Sequence, residues 1–263
     1  LSQKGIVIVT RPLHQADDLA HTLAVAGFDV VRVPALAIFP ALDTAPLRGA
    51  LEHLERYALA VFVSPNAIDG ALAELERAWP ESVAIAVMGP GSLKKLAARG
   101  ITSPPYRLFV PALGEHARFD SEALFAALDI GLLRQRRCLV VRGNGGRAWL
   151  IDTLVENGVK VDVVESYRRA PGEIEDSEKE RLRSLMATAQ TASIVVTSSE
   201  ALAAIKTQFA EVDATRGVAW LMRQKIIASH ARVAENATAA GFASVVLAGA
   251  GDDSVVRAIE WPG

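Results

Sequence analysis

Short apolar runs rich in β-branched residues alternate along the chain with segments whose apolar positions recur at helical spacing. Ile6-Val7-Ile8-Val9 is continuous, the pattern of a parallel strand covered on both faces. Thr10-Arg11-Pro12 follows, with Pro12 suited to a first helical turn. Leu13, Ala16, Leu19, Ala20, Leu23 and Ala26 then keep helical spacing until Gly27. Further strands are expected at 28–33, 60–63, 83–87, 108–110, 138–141, 159–164, 193–196, 226–228 and 244–247. Helices are expected between them, at 67–79, 92–99, 121–128 and 147–157 among others. This alternation specifies an α/β protein built from parallel, doubly wound sheets.

The pattern also repeats within the chain. Val9-Thr10-Arg11 and the following Gly27 match Val140-Val141-Arg142 and Gly158 at one offset, 131 residues. Val61-Phe62-Val63-Ser64 matches Val195-Val196-Thr197-Ser198 at 134, and Asp120-Ser121 matches Asp253-Ser254 at 133. Val87-Met88-Gly89 pairs in the same way with Ile227-Ala228-Ser229. The chain therefore reads as a duplicated flavodoxin-like (Rossmann-like) unit, with two lobes expected. Two proline-marked stretches, 34–40 and 166–172, each follow the second strand of their half and are the expected crossings between lobes.

Composition narrows the function classes. With 51% hydrophobic and 22% charged residues, the 263-residue chain has the apolar mass for real cores and is not disordered. Lys and Arg number 28 against 30 Asp and Glu, so a dedicated nucleic-acid surface is not expected, although a local basic pocket is compatible with it. Cys138 is the single cysteine and sits in an apolar strand, which excludes an intrachain disulfide or a cysteine-built zinc site. His14, His21, His53, His116 and His230 are scattered without ligand spacing, so no metal is expected. Trp79, Trp149, Trp220 and Trp261 are too dispersed to suggest base stacking. No apolar run reaches membrane-spanning length and the N-terminus shows no signal-peptide core, so a cytoplasmic protein is expected. No long coiled coil or apolar stripe calls for association, and a monomer is expected.

Candidate chemistry gathers where strands give way to helices, the ligand-binding edge of open α/β sheets. Ser64, Gly89, Ser92, Thr197-Ser198 and Ser229 occupy such loops. Each serine there is equally a helix cap. Together, several helix N-termini would offer N–H donors to a ligand with many carboxylates or phosphates, without net positive charge. Arg11, Arg142, Arg147 and Arg232 lie on the same edge and are the candidate anion clamps. Gly143, Gly145 and Ala148 also fit a G-x-G-x-x-A dinucleotide loop, with Glu165 further on. The first repeat has no glycines at the matching place, and a tight strand-to-helix turn explains the loop equally. Tyr167 follows the last strand of its half, flanked by Arg168 and Arg169. It reads either as packing at the crossing or as a phenol able to exchange one proton.

Taken in order, Val9-Thr10-Arg11-Pro12, Phe62-Val63-Ser64-Pro65-Asn66-Ala67, Val87-Met88-Gly89-Pro90, Val140-Val141-Arg142-Gly143, Tyr167-Arg168-Arg169 and Val196-Thr197-Ser198-Ser199 resemble the uroporphyrinogen-III synthase family over nearly the whole chain. The resemblance implies two lobes joined by a two-stranded linker, with the active site in the cleft. It implies a discontinuous first lobe, 1–35 plus 172–263, a second lobe at 40–166, and linkers at 36–39 and 167–171. It also implies a lyase that closes hydroxymethylbilane, a linear tetrapyrrole bearing eight carboxylates, to uroporphyrinogen III and water without any cofactor. Tyr167 matches the tyrosine that assists hydroxyl departure, and Ser64, Ser198 and the Gly89 loop match substrate-contact loops. Where a Thr often follows the Gly-x-x turn, this chain has Ser92 in one half and Arg232 in the other. Two other classes compete: a two-lobe module that binds a small anion without turnover, and a nicotinamide enzyme using the Gly143 loop.

Overall fold

The computed structural model describes residues 4–112, 118–249 and 251–260; His116, Trp261 and the side chain of His14 lie outside the described residues. Eleven strands are present among them: β1 Ile6–Val9, β2 Asp29–Arg32, β3 Leu36–Pro40, β4 Tyr57–Phe62, β5 Ala84–Val87, β6 Leu108–Phe109, β7 Arg137–Gly143, β8 Lys160–Pro171, β9 Ala192–Val196, β10 Lys225–Ala228 and β11 Ser244–Leu247. They form two sheets in two compact units. One unit comprises residues up to Ala37 and from Ala170 onward; the other is Ile38–Arg169.

The first unit holds a five-stranded sheet in the order β11-β10-β9-β1-β2, parallel at every ladder. Val7 and Val9 point to one face, against Leu19, Leu23 and Val195, while Ile8 points to the other with Val31, Ile194 and Ile226. Two-sided burial is why these strands are unbroken β-branched runs rather than alternating ones. Phe209 and Trp220 stack on the second face, ring centroids 5.8 Å apart.

The second unit holds a six-stranded sheet in the order β3-β8-β7-β4-β5-β6, with parallel ladders from β8 through β6. Here too successive residues serve opposite cores, Ala60 and Phe62 on one side, Leu59 and Val61 on the other. Setting the edge strand β3 aside, the sheets share one connectivity: β2-β1-β9-β10-β11 in one and β8-β7-β4-β5-β6 in the other. Each takes a consecutive strand pair from one half of the chain and its remaining three from the other.

Two sequence expectations shift. The helix expected at 67–79 is Pro65–Ala73, because Trp79 leaves the helical path to pack beside Phe62 at 5.7 Å and donates its indole N–H to Val83 O at 3.0 Å. The strand expected to end at 164 continues as β8 to Pro171, so the polar stretch after Val164 is strand rather than loop. It remains strand because β3 hydrogen-bonds to β8. No helix among the described residues is long and apolar enough to cross a membrane.

Candidate active site

In the second unit the sheet reverses its order of winding between β7 and β4, the point at which open α/β sheets bind ligands. Ser64 leaves β4 and caps the helix Pro65–Ala73, its Oγ accepting the Ala67 N–H at 3.2 Å, with Pro65 preset for the first turn. The same Oγ donates to the Tyr167 hydroxyl at 3.0 Å. Tyr167 reaches that point because β8 carries a bulge. Arg142 lies opposite Glu165, but Gly143 lies opposite Tyr167, leaving Ser166 as the extra residue. Ser166 is buried and donates to Ala67 O at 3.2 Å, so the bulge is tied to the helix that Ser64 caps.

Two glycines make the fit. A Cβ on Gly143 would stand 2.5 Å from Tyr167 Cζ, so only glycine lets the ring lie against β7. A Cβ on Gly70 would stand 2.4 Å from the Ser166 carbonyl oxygen, so the helix approaches the bulge only at a glycine. Asn144 completes the enclosure: its N–H donates to Tyr167 O at 3.1 Å and its Oδ1 accepts the Arg169 N–H at 2.7 Å. Tyr167 is 6% exposed, a buried ring whose hydroxyl meets the Ser64 side chain.

The other candidates of this unit are placed as follows. Gly89 ends the β5 loop and caps the helix Pro90–Ala97, facing the Phe119 ring closely enough that a Cβ would stand 2.9 Å from it. Ser92 is buried within that helix's first turn rather than presented on the edge. Arg142 turns back on its own loop, donating to Gly143 O at 3.3 Å and to Gly145 O. Arg147 is held in a two-pronged bond by Glu122, at 2.8 and 3.2 Å, which holds that carboxyl below its usual range. Both arginines, expected as anion clamps, are engaged within the unit, one with loop carbonyls and the other with a carboxylate. The dinucleotide reading of the Gly143 loop meets the same obstacle. The face of Gly143 is covered by the tyrosine ring, and Arg142 fills the turn.

In the first unit, Thr10 donates to Val195 O at 2.7 Å and draws β1 and β9 together at the matching point of the sheet. Arg11, expected as an anion clamp, is paired to Asp252 at 2.6 Å. Ser198 caps the helix Ser199–Val212, its Oγ accepting the Ala201 N–H at 3.0 Å. Ser229 donates its N–H to Val196 O at 3.2 Å while its buried Oγ has no partner among the described residues. His230 caps the helix Ala231–Ala239 without a side-chain bond; desolvation and the nearby Arg11 charge push its pKa down, favouring neutral imidazole. Arg232 stands exposed in that helix's first turn. No tyrosine stands at this edge of the first sheet. Among the described residues no group of three His, Cys, Asp or Glu could hold a metal ion.

Sequence reading missed Gly70, Ser166 and Asn144. Of these only Gly70, an isolated glycine in a helical pattern, carried a signal, that of close backbone approach.

Comparison with known proteins agrees with this architecture. The family model described as Uroporphyrinogen-III synthase HemD matches residues 17–255. Uroporphyrinogen-III synthase of Salmonella typhimurium is 26% identical over 258 residues, covering 97% of this chain and 99% of that protein. The Proteus mirabilis protein of the same name is 28% identical over 166 residues, 62% of this chain and 79% of that one. Among solved structures, a mutant uroporphyrinogen III synthase from Thermus thermophilus has a TM-score of 0.61 at 16% identity, covering 97% of each chain. The uroporphyrinogen-III synthetase of Helicobacter pylori has a TM-score of 0.57 at 13% identity, covering 96% of this chain and 97% of that one. At such identities the structures speak for the fold, and the family model speaks for descent. The chain belongs to the uroporphyrinogen-III synthase family.

Proposed function

We propose that this chain converts hydroxymethylbilane to uroporphyrinogen III, with loss of water and inversion of the last pyrrole ring, and that the two similar sheets descend from one duplicated unit. The observation that carries the chemical reading is the Ser64–Tyr167 hydroxyl pair. Ser64 directs its proton to the Tyr167 oxygen at 3.0 Å, which leaves the phenol proton for another acceptor. That acceptor is the terminal hydroxyl of the substrate. As the C–O bond breaks, the oxygen takes the phenol proton and leaves as water, and the pyrrole nitrogen delocalises the resulting azafulvenium charge.

Because the pyrrole supplies most of the driving force, a neutral phenol is acid enough. The harder requirement is regiochemistry. Attack at the substituted carbon of the last ring gives a spiro intermediate, whose rearrangement and reclosure invert that ring. The proton released when the pyrrole regains aromaticity returns to the Tyr167 oxygen. Selecting this route over direct closure is a matter of holding the chain folded. The substrate carboxylates are met by helix N-termini at the strand ends of the second unit, behind Ser64 and Gly89.

The test supplies hydroxymethylbilane and separates the product isomers. The type III isomer, formed faster than the spontaneous type I product, is expected. Type I alone at the uncatalysed rate would overturn the reading, and saturable binding without turnover would favour an anion-binding module.

A further inference from the structure

Arg168 has no part in the reading above. It follows Tyr167 on β8, two residues past the bulged Ser166, and successive strand residues face opposite ways. Its guanidinium carbon lies 4.4 Å from the centroid of the Phe39 ring on β3, the strand bonded to β8. Its Nε is enclosed and makes no hydrogen bond. Among the described residues no carboxylate pairs with it, whereas Arg11, Arg137, Arg147 and Arg181 each hold an Asp or Glu.

This is a costly way to keep a cation. Its Nε has given up water, and a ring face returns only part of that loss. Phe39 is likewise 41% exposed, a large ring left at the surface. Together they make sense as a prepared site. The Phe39 ring backs the guanidinium and Nε is enclosed, while the two Nη groups are not among the buried atoms left without a partner. A planar carboxylate meets a guanidinium fork through two parallel bonds.

We infer that Arg168 binds a carboxylate side chain of the substrate end-on, with Phe39 as its positioning residue. The identity of the ligand rests on the proposed function; its charge and shape rest on Arg168 alone.

The test combines kinetics on hydroxymethylbilane with fluorescence titration by uroporphyrin, an octacarboxylate with no hydroxyl to lose. Arg168→Ala is expected to raise KM and the uroporphyrin Kd roughly tenfold, with kcat within about twofold and the difference shrinking as salt rises. Arg168→Lys should recover only part of the loss, having charge without the fork, and Phe39→Leu should move both constants less in the same direction. Arg168→Gln keeps the stem without the charge and serves if the alanine variant does not fold. Unchanged KM and Kd in a folded Arg168→Ala or Arg168→Gln protein would overturn the inference. Weakened uroporphyrin binding in a protein that forms no type III isomer would uphold the carboxylate role and refute the proposed function.

Discussion

The Tyr167 ring lies so close to Gly143 that one methyl group decides whether it can stay there. Gly143→Ala would put a carbon 2.5 Å from Cζ, and the ring, itself part of the buried cluster with Val141 and Val164, has no room to retreat. The substitution is expected to cost about 1–3 kcal/mol in urea unfolding and to lower turnover by displacing the hydroxyl from Ser64. Arg147→Ala makes the opposite case. Its ion pair with Glu122 is well exposed, so removing it should change stability by less than about 1 kcal/mol and leave turnover near wild type. A large loss of activity would restore Arg147 as a substrate clamp. The contrast also marks what single residues revealed. Tyr167 stood out as a candidate because it is a phenol flanked by two arginines after a strand. The partners of Arg11 and Arg147, Asp252 and Glu122, did not, because a salt bridge between distant residues leaves no local trace.

Among elements, the strands were readable wherever both faces are buried, since a continuous β-branched run of that length fits a doubly covered strand and little else. The far part of β8 was not. Its bulge breaks the alternation at Ser166, and its polar residues Glu165-Ser166-Tyr167-Arg168-Arg169 imitate a loop. At the other end of the same sheet Tyr57 on β4 donates to Asp162 on β8 at 2.9 Å, while Arg137 on β7 grips that carboxylate at 2.6 and 3.2 Å. Burial and the bond to Asp162 push the Tyr57 phenol up to about 12, from an ordinary 10.0. The unfolded chain therefore loses this proton first. The contribution of Tyr57 is fully present below pH 10 and is lost as pH rises toward 12. Tyr57→Phe is expected to lower stability by about 1–3 kcal/mol at neutral pH. It should also flatten the decline between pH 10 and 12, read as urea midpoints across that range. A decline of unchanged steepness would show that Tyr57 is not its source.

At the scale of the molecule, the repeat disclosed two similar sets of strands, but offsets along a chain do not say which strand bonds to which. In the structure β7 and β8 join β4, β5 and β6, while β1 and β2 join β9, β10 and β11. A half-chain of residues 1–131 thus lacks partners for both sets and is expected to stay unfolded. A fragment of residues 36–171 carries all six strands of its sheet and is expected to unfold cooperatively in urea. Failure of that fragment to fold would show that its sheet depends on the rest of the chain. For function, the central claim comes down to one oxygen. The most direct test is kcat for hydroxymethylbilane in Tyr167→Phe against wild type, at saturating substrate, with product isomers separated. A phenol that protonates the departing hydroxyl predicts a fall of about 10- to 100-fold, the type III isomer still dominant, and a fold retained apart from about 1 kcal/mol for the lost Ser64 bond. An unchanged kcat would contradict it.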